Sequence, residues 1–282
     1  MRWLVVGANG MLGTDLVSVV SAAGHDILGV DRARLDITAP ELARPLFEGV
    51  DIVVNCAAWT AVDAAEEQEG SAFAVNAMGP GLLARECRLA GARMVQVSTD
   101  YVLAGDAQQP YAEDAPMRPV SAYGRTKAAG EWAVRAELPD HLVVRTAWLY
   151  GEHGPCFPRT IARVAAERGG LDVVDDQVGQ PTWTVDLADL VLRLVEAQVP
   201  AGTYHGTSAG STSWFGFARS VVAAAGMDPE IVRPATSEGF VRPAPRPAYS
   251  VLGHDALRAA GVEPIGEWEG RWALASAAVL GG

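Results

Sequence analysis

The chain has 282 residues, 49% of them hydrophobic and 20% charged, so it can build a folded core and is not a disordered protein. Its 22 basic and 34 acidic residues give a formal net charge of −12 without any Lys/Arg-rich run, which disfavours nucleic acid and membranes as partners. Three widely spaced cysteines and five histidines form neither a disulfide framework nor a zinc motif, so we expect a cytoplasmic protein that holds no metal ion.

The first half of the chain alternates short apolar runs with longer amphipathic ones. The apolar runs predict strands at residues 3–6, 26–30, 51–55, 93–98 and 141–146. Amphipathic spacing predicts helices between them at residues 11–23, 41–47, 72–89 and 122–137. Apolar strands separated by helices are typical of a parallel sheet that is covered on both faces. We therefore predict a doubly wound, Rossmann-like α/β fold, whose first strand begins too early for a leader peptide.

The second half is less regular, and this predicts a smaller C-terminal lobe that is interleaved with the sheet. Helices are predicted at residues 157–167, 185–196 and 215–225, with short strands and proline-rich loops between them. We expect residues 1–147 to form a dinucleotide-binding domain, to which segments near 171–205 and 240–254 return. Residues 148–282 are then mainly a substrate-binding lobe.

The glycine-rich segment Gly7-Ala-Asn-Gly10-Met-Leu-Gly13 lies between the first predicted strand and the first predicted helix. Its glycines allow a tight turn and a close approach of the backbone to a pyrophosphate at the helix N-terminus. After the second strand, Asp31 can accept hydrogen bonds from the ribose of NAD, whereas Arg32 and Arg34 can pair with the 2′-phosphate of NADP. The sequence therefore predicts a nicotinamide dinucleotide and leaves NADH and NADPH both open.

Tyr123 and Lys127 lie four residues apart in a predicted helix, so their side chains share one face. A phenol with an ordinary pKa gives up its proton poorly at neutral pH unless a nearby cation favours the ionised form, and Lys127 supplies that cation. Thr99 follows the fourth predicted strand, at the edge where ligands bind to an open α/β sheet. The three side chains suit the reduction of a ketone: Thr99 hydrogen-bonds the carbonyl oxygen, Tyr123 protonates it, and Lys127 tunes Tyr123.

At these residues the chain resembles the extended short-chain dehydrogenase/reductases, and within them the dTDP-4-dehydrorhamnose reductase family, over nearly its whole length. The glycine turn and the Tyr123/Lys127 pair are common to the whole superfamily. Further segments that carry the resemblance are Asn55-Cys-Ala-Ala-Trp-Thr-Ala-Val-Asp63, Ala74-Val-Asn-Ala-Met-Gly-Pro80, Ser98-Thr-Asp-Tyr-Val102, Tyr123-Gly-Arg-Thr-Lys-Ala-Ala-Gly-Glu131, Arg145-Thr-Ala-Trp148, Asp176-Gln-Val-Gly-Gln-Pro-Thr182 and Arg246-Pro-Ala-Tyr-Ser250. The resemblance implies the reduction of dTDP-4-dehydro-L-rhamnose at C4 by NADPH or NADH, giving dTDP-L-rhamnose.

The resemblance also implies roles for individual residues, beginning with Thr99, Tyr123 and Lys127 as the catalytic set. Besides Tyr123 and Lys127, the expected cofactor contacts are Gly7, Asn9, Gly10, Met11, Leu12, Asp31, Arg32, Asp36, Ile37, Ala57, Ala58, Trp59 and Val97. The implied substrate contacts are Thr60, Val62, Thr99, Asp100, Tyr101 and Trp148. We add Arg246 on charge alone, because a local arginine suits the diphosphate of a nucleotide sugar. Monomer and homodimer both stay open.

Several positions of the sequence bear on alternative functions. Tyr101 stands where related sugar-nucleotide dehydratases carry an acidic residue, so dehydration is disfavoured. Leu103-Ala104 and Gly154-Pro-Cys-Phe157 depart from the family pattern in loops that we expect to border the sugar or the nucleotide. They favour an alternative function, a 4-ketoreductase for another dTDP-4-keto-6-deoxy sugar. The non-enzymatic alternative, an NADP-binding regulatory or sensor subunit, has no need of the proton donor Tyr123.

Overall fold

The computed structural model describes residues 1–281, and its first half is a regular alternation of strands and helices. These elements are β1 (Arg2–Val6), α1 (Met11–Ala22), β2 (Asp26–Val30), β3 (Ile52–Asn55), α2 (Val62–Glu67), α3 (Glu69–Phe73), α4 (Gly79–Ala90), β4 (Arg93–Thr99), α5 (Ala122–Glu137) and β5 (His141–Thr146). Residues Pro40–Phe47 and Asp100–Val102 form 3₁₀ segments, and Ala74–Met78 is a π-helical segment.

The second half contains shorter strands and five further helices among the described residues. These elements are β6 (Leu149–Tyr150), α6 (Phe157–Arg168), β7 (Leu171–Val174), β8 (Val178–Gly179), β9 (Thr182–Trp183), α7 (Thr184–Glu196), β10 (Gly202–His205), β11 (Ser208–Ala209), β12 (Thr212–Ser213), α8 (Trp214–Ala224), β13 (Val232–Ala235), α9 (Asp255–Ala259), β14 (Ile265–Glu267) and α10 (Trp268–Gly281). Within residues 1–281, no helix is both long and apolar enough to cross a membrane.

The central sheet has six parallel strands in the order β10-β5-β4-β3-β1-β2. The chain first adds β2 on one side of β1 and then β3, β4 and β5 on the other. Ligands of open α/β sheets bind outside the carboxyl ends of the strands where the order reverses in this way. The predicted doubly wound α/β fold is confirmed, and the sheet brings the ends of β1, β3 and β4 to one edge.

Both faces of the sheet are buried, as its apolar strands predict. Along β1, Trp3 and Val5 belong to a core cluster with α1 and α7, whereas Leu4 and Val6 belong to a second cluster with Phe47 and α4. These four apolar side chains of β1 are at most 1% exposed. A strand buried on both faces is fixed in position, so the loops that leave its carboxyl end start from fixed points.

The C-terminal half builds a third core cluster, which contains Tyr150, Phe217, Trp268 and Trp272. It also sends β10 back to the central sheet beside β5, whereas β7 pairs with β13 outside that sheet. We expected the segment near 171–205 to return to the central sheet. Its last strand, β10, lies in that sheet, whereas its first strand, β7, does not. The division near residue 147 stays a prediction.

Two predicted helices differ in detail from the structure. The helix predicted at 72–89 is interrupted by the π-helical segment Ala74–Met78, between α3 and α4. The segment predicted as a helix at 41–47 is 3₁₀ and contains Pro45, which has no N–H to donate inside a helix.

Candidate active site

The glycine turn between β1 and α1 is held close to two other loops. Gly7 has a φ of +81°, and a Cβ on it would lie 2.8 Å from the backbone nitrogen of Ala57. A Cβ on Gly13 would lie 2.3 Å from the carbonyl oxygen of Gly7. No side chain caps the N-terminus of α1 at Gly10, so the first N–H groups of the helix are free to meet an anion. This cradle fits the pyrophosphate of a dinucleotide.

Beyond β2, Asp31 accepts hydrogen bonds from the backbone of its own turn. Its Oδ1 accepts from the nitrogens of Ala33 and Arg34 at 3.1 and 3.2 Å, and its Oδ2 accepts from Asn9 at 3.2 Å. The Arg32 side chain is 85% exposed, with its Nε 3.3 Å from Asp36. The carboxylate and the arginines therefore lie at the same strand end, as the sequence predicts, without deciding between NADH and NADPH.

The other expected cofactor contacts lie around this turn and at neighbouring strand ends. Ile37 differs from most of them because its side chain is buried. It is 5% exposed and packs so closely against α4 that a Cβ on Gly79 would lie 2.9 Å from it. Ala57, Ala58 and Trp59 follow β3 directly, so they flank the glycine turn.

Thr99, Tyr123 and Lys127 are brought together where β4 ends and α5 begins. Ser121 caps α5 by accepting a hydrogen bond from the nitrogen of Gly124 at 3.1 Å. Lys127 is 4% exposed and donates from Nζ to the carbonyl oxygen of Val97 in β4 at 2.7 Å. A Cβ on Gly124 would lie 2.2 Å from the carbonyl oxygen of Tyr101, so only glycine lets the helix approach the strand end this closely.

Burial changes the acidity of each titratable group at this strand end. It raises the pKa of Tyr123, to which the nearby Asp100 charge adds, while the Thr99 side chain acts in the opposite direction. It lowers the pKa of Lys127 to about 8, against the charge of Glu131. It raises the pKa of Asp100 to about 6, although Ser250 and Thr99 favour its ionised form. At neutral pH Tyr123 therefore holds a proton beside a mostly charged lysine.

Asp100 and Tyr101, two expected substrate contacts, are fixed by Thr99. The Thr99 hydroxyl donates to Oδ1 of Asp100 at 2.9 Å and accepts from the nitrogen of Tyr101 at 3.3 Å. The ring of Tyr101 meets the edge of the Tyr123 ring with the centroids 5.6 Å apart. The predicted catalytic and substrate residues of β4 and α5 thus form one cluster.

Two positions of this cluster received no role in the sequence analysis. The Asn76 side chain accepts from the nitrogen of Trp59 at 2.8 Å and donates to its carbonyl oxygen at 3.0 Å, which fixes the loop after β3. Glu131 accepts from Ser98 at 2.6 Å and from both Nε and Nη2 of Arg145 at 2.9 Å. A polar residue inside an apolar helix was the signal for Asn76, and an acidic residue one turn beyond Lys127 was the signal for Glu131.

A cavity of about 810 Å³ opens beside this cluster, between α6, β7 and the loop 236–247. Tyr101 and Arg246 both line it, together with the aromatic side chains of Phe157 and Trp214. Arg246 donates to Asp63 at 2.9 Å, so it lies at the cavity while paired with a carboxylate. Three further arginines of the lining were missed by sequence reasoning because they are far apart in the chain: Arg168, Arg233 and Arg242.

Other predicted substrate residues lie around the cavity rather than in its lining. Trp148 has a φ of +47° and stacks on Trp214. Thr60 is exposed, and Val62 begins α2 beside Asp63, the partner of Arg246.

One expectation about the loops is wrong. Leu103 is 2% exposed and packs in a small core cluster with Val102 and Leu252, so this departure from the family pattern does not border the sugar. Its apolar side chain is explained by that packing. In the second segment, the departing residue Cys156 is buried, and Phe157 after it lines the cavity. Among residues 1–281, no group of three or more His, Cys, Asp or Glu side chains is arranged to hold a metal ion.

Comparison with known proteins identifies the family of the chain. The family model described as RmlD substrate binding domain matches residues 1–279. The chain belongs to the RmlD family. The resemblance stated from the sequence motifs is therefore confirmed, and the chain is an enzyme of an oxidoreductase family.

Individual relatives match over nearly their whole length. A probable dTDP-4,6-dihydroxy-2-methyloxan-3-one 4-ketoreductase of Streptomyces antibioticus is 49% identical over 273 residues, which cover 95% of this chain and 92% of that protein. The dTDP-4-dehydrorhamnose reductase of Streptomyces griseus is 48% identical over 274 residues, covering 95% and 90%. A solved dTDP-4-dehydrorhamnose reductase of Bacillus anthracis, in complex with NADP, has a TM-score of 0.93 at 36% identity and covers 97% of this chain and 98% of that one.

Proposed function

We propose that this RmlD-family chain reduces the C4 keto group of dTDP-4-dehydro-L-rhamnose, with NADPH or NADH, to give dTDP-L-rhamnose. The observation that carries the proposal is that buried Thr99 and Lys127 lie with half-buried Tyr123 where β4 ends and α5 begins, beside an uncapped helix N-terminus and a glycine cradle. A protonated phenol next to a buried cation is the arrangement that ketone reduction requires.

The proposed roles follow from the local electrostatics. A bound nicotinamide supplies the hydride that adds to C4. Tyr123 holds the proton for the ketone oxygen, as a phenol does at neutral pH, although burial raises its pKa and so makes that proton harder to release. Lys127, fixed by Val97, stabilises the phenolate that remains after proton transfer. The Thr99 hydroxyl, which donates to Asp100 in the structure, would turn to donate to the same ketone oxygen.

The substrate is expected in the cavity that Tyr101 and Arg246 share. The lining contains Arg168, Arg233, Arg242 and Arg246, which suit a diphosphate. Arg233 pairs with Asp172, and Arg242 and Arg246 both pair with Asp63, so a diphosphate would compete with these carboxylates. Trp148 and Tyr101 would bound the sugar, with Thr60 and Val62 on the cofactor side. The sugar would then meet Tyr123, against whose ring Tyr101 packs.

The cofactor and the compartment belong to the same proposal. Arg32 and Arg34 are both exposed at the end of β2, where they can pair with a 2′-phosphate, and Asp31 lies beside them for a ribose hydroxyl. The free cysteines support a reducing, cytoplasmic compartment: Cys56, Cys87 and Cys156.

The proposal is tested by following the loss of reduced nicotinamide when the protein is mixed with dTDP-4-dehydro-L-rhamnose. We expect rapid oxidation, with dTDP-L-rhamnose as the product. Parallel reactions with NADPH and NADH measure the preference set by Asp31 and Arg32. A folded chain that binds the cofactor but oxidises neither form would contradict the proposal.

A second candidate keeps the chemistry and changes the sugar. It is supported by the name of the Streptomyces antibioticus relative, a probable 4-ketoreductase, and by the departure at Cys156, which directly precedes Phe157 of the cavity lining. A panel of dTDP-4-keto-6-deoxy sugars separates the two candidates. A kcat/KM for another sugar well above that for dTDP-4-dehydro-L-rhamnose would favour the second one.

A further inference from the structure

Two tryptophans from distant segments are stacked beside the large cavity. The ring centroids of Trp148 and Trp214 are 3.5 Å apart, and the ring planes differ by 8°. Trp148 comes just after β5, whereas Trp214 is the first residue of α8 and lines the cavity itself. The sequence motifs implied that Trp148 contacts the substrate, whereas no motif pointed to Trp214.

Trp148 has an unusual backbone conformation, and both faces of its ring are covered. Its φ of +47° lies in the left-handed region, which a bulky residue adopts only when its surroundings impose it. A Cβ on Gly179 would lie 2.5 Å from Cε2 of the Trp148 ring, so glycine is required on the face opposite Trp214. The ring therefore occupies a slot between Gly179 and Trp214.

The walls of this slot are tied to each other. Gly179 in β8 pairs directly with Thr212 in β12, and Trp214 follows that strand. Ser213 caps α8 by accepting a hydrogen bond from the nitrogen of Gly216 at 3.0 Å. Phe157 packs on Trp214 with the centroids 4.4 Å apart. Trp214 is thus fixed by a strand, a helix cap and a neighbouring ring.

We propose that Trp148 is a positioning residue: its ring, held in the slot against Gly179, keeps Trp214 as a fixed wall of the cavity, and that wall determines which sugar fits there. The inference rests on the proposed function for the identity of the sugar nucleotide. Aromatic pairs of this kind add attraction beyond the apolar area that they bury, and a ring with no freedom to turn presents a constant shape. Loss of Trp148 would leave Trp214 without the ring on which it stacks.

The test compares the binding of dTDP-L-rhamnose with that of dTDP, which lacks the sugar, in the wild type and in Trp148→Ala. We expect the Kd of dTDP-L-rhamnose to rise about fivefold to tenfold and that of dTDP to change less than about twofold. Trp148→Phe should restore most of the affinity. Gly179→Ala, which keeps both tryptophans but crowds the ring, should weaken the same ligand selectively.

Circular dichroism provides a readout that does not depend on turnover. Two indoles this close couple their transitions, and transition moments that are twisted within the parallel planes give a couplet, so Trp148→Phe and Trp214→Phe should both remove the same contribution from the spectrum. Trp132→Phe is the matched control, because Trp132 is 65% exposed on α5, away from the stack, and its replacement should leave the couplet intact. Thermal unfolding midpoints and cofactor affinity show whether each variant is folded.

The outcomes separate this inference from the proposed function. If Trp148→Ala lost the couplet but bound dTDP-L-rhamnose as the wild type does, the positioning role would be overturned. Equal weakening of dTDP and dTDP-L-rhamnose would overturn it too, because the wall would then act on the nucleotide. A wild type that binds both ligands but reduces no 4-keto sugar would contradict the proposed function alone, and one that binds neither would contradict both.

Discussion

The proton-donating cluster and the loop over the cavity are built in opposite ways. Lys127 and Glu131 are 4% and 1% exposed, and both form hydrogen bonds to β4, through Val97 and Ser98. In the loop 236–247, Val241 is 92% exposed, and the loop is held by contacts such as Arg246 with Asp63. The groups that carry out the chemistry are buried and bound to the central sheet, whereas Arg246 is held by a loop that is partly exposed.

The largest effect is expected from Tyr123→Phe, which removes the proton donor and keeps the ring that packs against Tyr101. General acid catalysis contributes about 10²–10⁴-fold, so we expect kcat to fall by about that factor. Stopped-flow or steady-state oxidation of the cofactor measures it. A variant with normal cofactor affinity and a kcat near that of the wild type would show that Tyr123 is not the donor.

Glu131→Ala should destabilise the fixed cluster most strongly, because it leaves Arg145 buried without its partner. Breaking a buried pair in this way costs about 3–5 kcal/mol of unfolding free energy, measured by chemical denaturation. The matched control is Glu167→Ala, whose exposed partner Arg163 lies 2.9 Å away one helical turn earlier; it should cost about 0.3–0.5 kcal/mol. Equal losses in the two variants would mean that burial of the pair contributes nothing.

Asp100→Asn should change how stability depends on pH. Burial raises the pKa of Asp100 from 3.8 to about 6, so the folded protein binds this proton more tightly than the unfolded chain. The wild type therefore loses stability as the pH rises from about 4 to about 6, by about 2 kcal/mol, and Asn has no proton to lose.

Denaturation of both proteins across that range measures the difference. The free energy of unfolding of Asp100→Asn, minus that of the wild type, should grow between pH 4 and pH 6 and then stay nearly constant. Other carboxylates are common to both proteins and cancel. A difference that stays flat with pH would refute the raised pKa.

The smallest effect is expected from Arg246→Ala, in the loop 236–247 over the cavity. A hydrogen bond to a charged group contributes about 1.5–3 kcal/mol, and here part of it is offset because Arg246 already pairs with Asp63. We expect KM for the sugar nucleotide to rise about tenfold and kcat to change little. Arg163→Ala, on the exposed face of α6, should leave KM unchanged.

The sequence predicted what local pattern determines. Apolar strands and the glycine turn were enough for the doubly wound fold, and the spacing of Tyr123 and Lys127 was enough for one face of α5. It did not predict the π-helical segment, because that turn depends on Asn76 bonding to Trp59, 17 residues away. Trp214 was missed for the same reason: its partner Trp148 is far away in the chain. Leu103 was placed at the sugar only because its packing against Leu252 is not visible in the sequence.

The central claim is that the buried cluster around Tyr123 carries out the chemistry, while the loop that contains Arg246 holds the nucleotide. It is tested most directly by measuring kcat and KM for Tyr123→Phe and Arg246→Ala side by side with dTDP-4-dehydro-L-rhamnose. We predict that Tyr123→Phe lowers kcat with little change in KM, and that Arg246→Ala raises KM with little change in kcat. If both variants changed the same parameter, the division between the two regions would be wrong.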